Sequence, residues 1–181
     1  MKKIVLYGSE STGKTYLAQH LARHFQTIWI PEFARGYYQL RNAQQELRLK
    51  NDAISCYEDI SQTAIGQLVL EQAMLSLANT IVFLDTDILS IVVYAKHYFG
   101  KVPSWLENYA AQLTDRTYLL TNLDIEWVED SLRDRPNERE KMHALFEEEL
   151  LRRGYPFYVV AGKGMTRLKN AIDIINNRVF G

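Results

Sequence analysis

The 181-residue sequence holds a single cysteine, Cys56. No intramolecular disulfide can form, and a cysteine-based metal centre is disfavoured. Cys56 reads as a small, inert hydrophobe. No apolar run approaches the ~20 residues that a membrane span requires. The early apolar stretch Ile4-Val5-Leu6-Tyr7 is too short for a secretory leader and runs straight into a glycine-rich turn. Neither charge is in excess: 21 Lys plus Arg against 22 Asp plus Glu leave a net charge of -1. That balance argues against a general binder of nucleic acid or of an anionic membrane, either of which carries a basic surplus. It leaves room for a local basic pocket. A reducing cytoplasm is the expected setting. Internal repeats, low-complexity tracts and Pro/Gly/Ser linkers are also missing, which points to one domain over residues 1–181. The oligomeric state has no signature in the sequence.

What is present is an alternation of strand and helix, with 47% hydrophobic residues to fill a core. Short apolar runs predict strands at residues 4–7, 27–30, 81–84, 117–120 and 157–161. Helical spacing predicts helices at 14–25, 57–79, 88–99, 103–113, 137–153 and 166–179. In the second of these, Ile60, Ala64, Leu68 and Leu75 are expected inward, with Ile65 and Val69 beside them. Residues 41–52 are polar and are expected to form a surface excursion between helical segments. Five apolar strands separated by helices imply an α/β fold with a five-stranded parallel sheet and helices on both faces. Ligands in such sheets bind beyond the carboxyl ends of the strands. Those ends carry residues 8–15, 31–36, 85–87, 121–127 and 162–164.

Residues 8–15 read Gly-Ser-Glu-Ser-Thr-Gly-Lys-Thr and match G-x-x-x-x-G-K-[ST] at every fixed position, between a strand and an amphipathic helix. Gly8 and Gly13 permit backbone turns that a side chain blocks. The amides of Gly8, Ser9, Glu10, Ser11, Thr12, Gly13, Lys14 and Thr15 are then free to cradle the phosphates of ATP. Lys14 reaches the β- and γ-phosphates, and the Thr15 hydroxyl is a ligand for Mg²⁺. Asp85, ending the most strand-like run, is the second metal-facing candidate. Asp85 and Asp87 also read as helix caps, and their spacing of two gives them different partners.

GTPase signatures are missing: Asp85-Thr86-Asp87-Ile88 has no switch glycine, and Thr121-Asn122-Leu123-Asp124 has no guanine-reading lysine. The length leaves no room for the extra domains of many motor or AAA-type ATPases. A small phosphotransferase remains. Glu32 is its candidate base or hydroxyl anchor and Arg35 a candidate for contact with phosphate or acceptor, unless the two form a surface ion pair at a helix start. Arg133, Arg135 and Arg139 lie in a polar connection that reads either as a lid at about residues 128–140 or as a solvated loop. Trp29, Tyr94, Trp105 and Trp127 are candidates to stack on a flat acceptor ring, with core packing as the alternative.

Together with the phosphate loop, Glu32-Phe33-Ala34-Arg35, Phe83-Leu84-Asp85-Thr86-Asp87 and Glu126-Trp127-Val128-Glu129-Asp130-Ser131-Leu132-Arg133 resemble the ribosylnicotinamide kinase domain of bifunctional bacterial NAD-salvage proteins. The resemblance covers nearly the whole chain in the same order. It implies the three-layer P-loop NTPase fold with a small lid. It also implies ATP-dependent phosphorylation of the 5′-hydroxyl of nicotinamide riboside, Glu32 and Asp87 near the ribose or the phosphoryl acceptor, and Trp127 and Arg133 near nucleotide and lid. Arg133 and Arg139 are the lid arginines it favours. The adenylyltransferase and DNA-binding parts of that family are absent from these 181 residues, so the chain is expected to make the mononucleotide but not NAD. Ser131 stands where the family has glycine. Two alternatives remain: a kinase for another nucleoside or small alcohol, and a regulatory ATP-binding module.

Overall fold

The computed structural model describes residues 1–48, 56–126 and 138–181. The described strands are β1 (Lys2–Tyr7), β2 (Trp29–Ile30), β3 (Ile81–Asp85), β4 (Arg116–Thr121) and β5 (Phe157–Val160). The described α-helices are α1 (Lys14–His24), α2 (Phe33–Arg48), α3 (Tyr57–Met74), α4 (Ile88–Phe99), α5 (Ser104–Ala110), α6 (Arg139–Arg153) and α7 (Gly164–Ile174). The five strands form one sheet in the order β2-β3-β1-β4-β5, every pair parallel. This is the expected α/β architecture.

β1 lies at the centre, with Val5 opposite Leu84 of β3 on one side and Tyr118 of β4 on the other. Strand order reverses across β1, so the crevice at its carboxyl end is the ligand position this topology favours. Side chains alternate between the two faces. Val5, Tyr7, Val82, Leu84, Tyr118 and Leu120 join residues of α3, α4, α5 and α6 in one apolar cluster. Ile4, Leu6, Ile81, Phe83 and Leu119 join α1 and α7 in the other. Burial on both faces explains why these strands read as unbroken apolar runs. None of the described helices is long and apolar enough to cross a membrane.

Three helices depart from expectation. α2 runs on through Arg48, across much of the stretch read as a surface excursion. Its partners are polar, so apolar periodicity does not announce it. Tyr37 donates its hydroxyl to Asp59 of α3 at 2.7 Å, and Arg41 is ion-paired with the same carboxylate. In α3, Ile65 and Val69 face outward, 53% and 63% exposed. The buried stripe is instead Asp59, Thr63, Gln67 and Glu71, spaced every four residues alongside Ile60 and Ala64. Each of these polar side chains has a hydrogen-bonding partner, which makes its burial tolerable. Cys56, read as an inert hydrophobe, opens this helix: its amide donates to Asp59 Oδ2 at 2.8 Å. The closing helix begins at Gly164, two residues early, and its final turn widens over Ile175–Val179.

Candidate functional site

The phosphate loop leaves β1 through backbone that glycine permits. Gly8 has φ 129° and Gly13 φ 76°, and a Cβ on Gly8 would meet Thr121 Oγ1 at 3.0 Å. Ser11 also takes a positive φ of 54°. The Thr12 hydroxyl donates to Ser9 O at 2.9 Å, and Thr121 Oγ1 lies 2.7 Å from Thr12 Oγ1, so the end of β4 braces the loop. α1 follows Gly13, which offers no side-chain cap, and has no acidic residue in its first turn. Its first amides are left for an anion.

Lys14 folds back over the loop and donates to Gly8 O at 3.0 Å and to Ser9 O at 2.8 Å. Thr15 donates its hydroxyl to Asp85 Oδ2 at 2.6 Å. Burial pushes the Asp85 carboxyl up from its ordinary value, against the opposing pull of Lys14, the Thr15 hydrogen bond and Arg35. One hydroxyl and one carboxylate, side by side at the phosphate loop, fit Mg²⁺ that arrives with a nucleotide, since that ion takes few protein ligands and completes its shell from phosphates and water. Among the described residues no cluster of three or more His, Cys, Asp or Glu is suited to hold a metal by itself.

Two further arginines hold the outer side of the loop. Arg139, at the start of α6, donates to Ser11 O at 3.0 Å. Arg167 of α7 donates to Thr12 O, to Gly162 O at 2.7 Å and to Asn122 O at 3.0 Å, and is ion-paired with Asp124. Burial and then the Arg167 charge lower the pKa of Arg139, so an anion in the loop relieves a local crowding of positive charge. Arg167 carried no sequence signal: it belongs to no motif and sits in a helix read only for its apolar face.

From the loop, a cavity of about 400 Å³ opens toward α2, α3 and α4. Glu10, Ser11, Thr12, Gly13, Lys14 and Thr15 line its phosphate end, with Asp85 and Thr86. Glu32, Arg35 and Tyr38 line one wall, and Ser90, Ile91, Tyr94, Tyr98 and Phe99 line the other. Gly8 and Ser9 do not line it; their carbonyls take the Lys14 ammonium behind it. Tyr94 and Tyr98 lie nearly parallel, ring centroids 5.9 Å apart at 9°. Burial, then the charges of Glu10 and Glu32, push the Tyr94 hydroxyl well above its ordinary pKa, and burial takes Tyr38 up to about 12. Both phenols stay neutral near pH 7 and keep a proton to donate.

Glu32 is set in place by α3. Gln67 accepts from the Phe33 amide at 2.8 Å and donates to Pro31 O at 3.3 Å, holding the residues on either side of Glu32. The Phe33 ring lies against Gly66, where a Cβ would come within 2.1 Å of it. Neither Gln67 nor Gly66 is marked in the sequence, because an interior helix glutamine or glycine has no local signature.

Asp87, expected near the acceptor, lies apart from the cavity. Asp87 is fully buried and does not line the cavity. Its Oδ2 accepts from Arg116 at 3.0 Å and from the Tyr118 hydroxyl at 2.9 Å, while Oδ1 accepts from the Leu89 amide at 3.0 Å and caps α4. The turn between the two aspartates is made by Thr86 at φ 68°, a strained value for a β-branched residue. Of the aromatic candidates, Tyr94 lines the cavity. Trp29 packs against the α1/α7 cluster, and Trp105 donates to Ser61 Oγ at 3.3 Å. Trp127, Ser131, Arg133, Arg135 and most of the expected lid lie outside the described residues.

The profile of the AAA domain family matches residues 3–167. The chain belongs to that family. The match covers the P-loop core itself, so the expectation against AAA-type ATPases, which concerned additional domains, stands apart from the family's description. The chain is homologous to part of the trifunctional NAD biosynthesis/regulator protein NadR of Salmonella typhimurium, 26% identical over 133 residues, which are 74% of this chain and 31% of that protein. It is similar in fold to the crystal structure of NadR protein in complex with NR, with a TM-score of 0.75 and 24% identity over 99% of this chain and 52% of that one. A second NadR structure, in complex with NAD and AMP-PNP, gives a TM-score of 0.67 at 24% identity, over 99% of this chain and 50% of that one. The chain thus spans about a third of the curated relative and about half of the solved NadR chains.

Proposed function

We propose that this protein is a kinase that transfers the γ-phosphoryl group of ATP to the 5′-hydroxyl of nicotinamide riboside, giving nicotinamide mononucleotide and ADP. One observation carries the reading. A single cavity runs from the phosphate loop, past Glu32 and Arg35, to the aromatic wall of Tyr94 and Tyr98. A triphosphate, a sugar hydroxyl and a flat cationic ring fit that sequence of environments in order. The similarity to NadR, which is solved in complex with NR and separately with AMP-PNP, supports the choice of acceptor and donor.

In this mechanism the loop amides and Lys14 hold the triphosphate, with Thr15 and Asp85 placed to hold magnesium. Magnesium, when bound, neutralises charge on the phosphate oxygens. Glu32 takes the proton of the 5′-hydroxyl as its oxygen bonds to the γ-phosphorus. The bond from that phosphorus to the bridging oxygen breaks, and ADP leaves with the electron pair. Arg35, Arg139 and, by resemblance, Arg133 supply positive charge around the transferring group. Tyr94 and Tyr98 flank the nicotinamide ring, with Trp127 a further candidate from the sequence.

Glu32→Gln tests the reading. The expected result is a fall of about 10²–10⁴-fold in kcat, with ATP affinity unchanged by calorimetry. Full transfer activity in this variant would show that Glu32 is not the base. ATP binding without transfer to any nucleoside in the wild type would favour a regulatory nucleotide-binding module instead.

A further inference from the structure

The wall of the cavity contributed by α4 contains a hydroxyl that the fold itself does not use. Ser90 is 3% exposed and lines the cavity. Its Oγ has no hydrogen-bond partner among the described residues. A helical serine ordinarily returns its hydroxyl to a carbonyl one turn back, and buried hydroxyls are as a rule paired. Neighbouring buried polar groups of the cavity obey that rule. Thr63 donates to Asp59 O at 2.8 Å, and Gln67 accepts from the Phe33 amide at 2.8 Å.

The place of Ser90 along the cavity says what it is suited to meet. Ser90, Tyr94 and Tyr98 recur at intervals of four and share one face of α4. With a rise of about 1.5 Å per residue, Ser90 lies about 6 Å from Tyr94 and about 12 Å from Tyr98 along the helix axis. Asp85 and Thr86, immediately before the helix, mark the phosphate end. Ser90 therefore stands between the phosphoryl-transfer position and the aromatic wall. In a nucleoside that interval is spanned by the sugar.

We propose that the Ser90 hydroxyl hydrogen-bonds a secondary hydroxyl of the acceptor's sugar and makes the site select ribosides over deoxyribosides. This rests on the nucleoside-kinase reading given above. A serine hydroxyl both donates and accepts, and so matches a sugar hydroxyl without fixing its orientation in advance. A deoxyriboside leaves Ser90 buried and unpaired, and that unmade bond is the source of discrimination.

The test compares wild type, Ser90→Ala and Ser90→Thr on nicotinamide riboside and on its 2′-deoxy and 3′-deoxy analogues. Wild type is expected to prefer the riboside over one of the two analogues by about ten-fold in kcat/KM, the scale of one neutral hydrogen bond. Ser90→Ala is expected to lose that factor on the riboside, to leave the discriminated analogue within about two-fold, and to keep the KM for ATP. Ser90→Thr, which keeps the hydroxyl, is expected to retain the preference. Thermal melting without ligand adds an independent readout: removing an unpaired buried hydroxyl leaves Tm unchanged or raises it. Equal losses on riboside and both analogues, no change on any of them, or a lowered Tm overturn the assignment. If wild type ignores nicotinamide riboside but phosphorylates another nucleoside, the acceptor reading fails, and the same comparison on that nucleoside and its deoxy forms decides Ser90. Turnover of no nucleoside at all overturns both.

Discussion

The Thr15 hydroxyl and the Asp85 carboxylate meet at 2.6 Å, joining the first turn of α1 to the end of β3 across 70 residues of sequence. Asp85→Asn keeps the size of the side chain and removes its charge. Apparent Mg²⁺ affinity at saturating ATP is expected to fall about 10–100-fold, the usual effect of losing a supporting partner at a metal site. A magnesium titration of ADP formation checks this; an unchanged midpoint would remove Asp85 from the metal site.

The same carboxylate gives a pH dependence. Burial raises the Asp85 pKa above its ordinary 3.8, so the folded protein takes up that proton at a higher pH than the unfolded chain does. Protonated Asp85 is favoured by the fold, so this group's contribution to stability is full below 3.8 and is lost as pH rises through the raised value. Metal holding needs the ionised form. The acid limb of kcat/KM for Mg-ATP is therefore expected above 3.8, and a pH–rate profile locates it.

Gly66 tests how Glu32 is positioned. A methyl group there would lie 2.1 Å from the Phe33 ring, so Gly66→Ala forces the ring, and with it the start of α2, to move. Overpacking of this kind costs about 1–3 kcal/mol of stability. Displacement of Glu32 is expected to lower kcat by about ten-fold or more, with the KM for ATP held. A loss of stability with kcat intact would separate Phe33 packing from the placement of Glu32.

Glu149 tests an ion cluster that joins α6 to α4 on the cavity's face of the sheet. Burial raises its carboxyl pKa, but hydrogen bonds from Arg152, Lys96 and Arg153 overcome this and hold it at about 2. A depressed carboxyl contributes stability above its ordinary 4.5, lost as pH falls through about 2. Glu149→Gln is expected to cost about 1.5–3 kcal/mol near pH 7, the scale of hydrogen bonds to a charged group. Urea unfolding at pH 7 and pH 3 checks the sign: the gap between variant and wild type narrows in acid.

Some of this was legible in the sequence because residue type alone carries it. Gly8, Gly13 and Lys14 announce a phosphate loop through backbone constraints that few other residues meet, and apolar runs mark strands buried on both faces. The course of α2 past residue 40 was not legible, because Tyr37 and Arg41 dock on Asp59 through polar contacts that have no hydrophobic period. The spacing of Asp85 and Asp87 foretold different partners but not which: the turn at Thr86 sends one to Thr15 and the other to Arg116. Gln67, Ser90 and Arg167 act from ordinary positions on helices distant in sequence, and their roles follow only from which chain segments the fold brings together. With 11 tyrosines, composition could not single out Tyr38 and Tyr98 as cavity residues alongside Tyr94.

Phosphoryl transfer is tested most directly by incubating the protein with Mg-ATP and nicotinamide riboside and following both products by mass spectrometry and phosphorus NMR. The expected result is one ADP formed per mononucleotide, phosphorus on the 5′ oxygen, and ADP formation that stops when the riboside is withheld. ADP released at the same rate without the riboside, or a phosphorylated product that never appears, contradicts it.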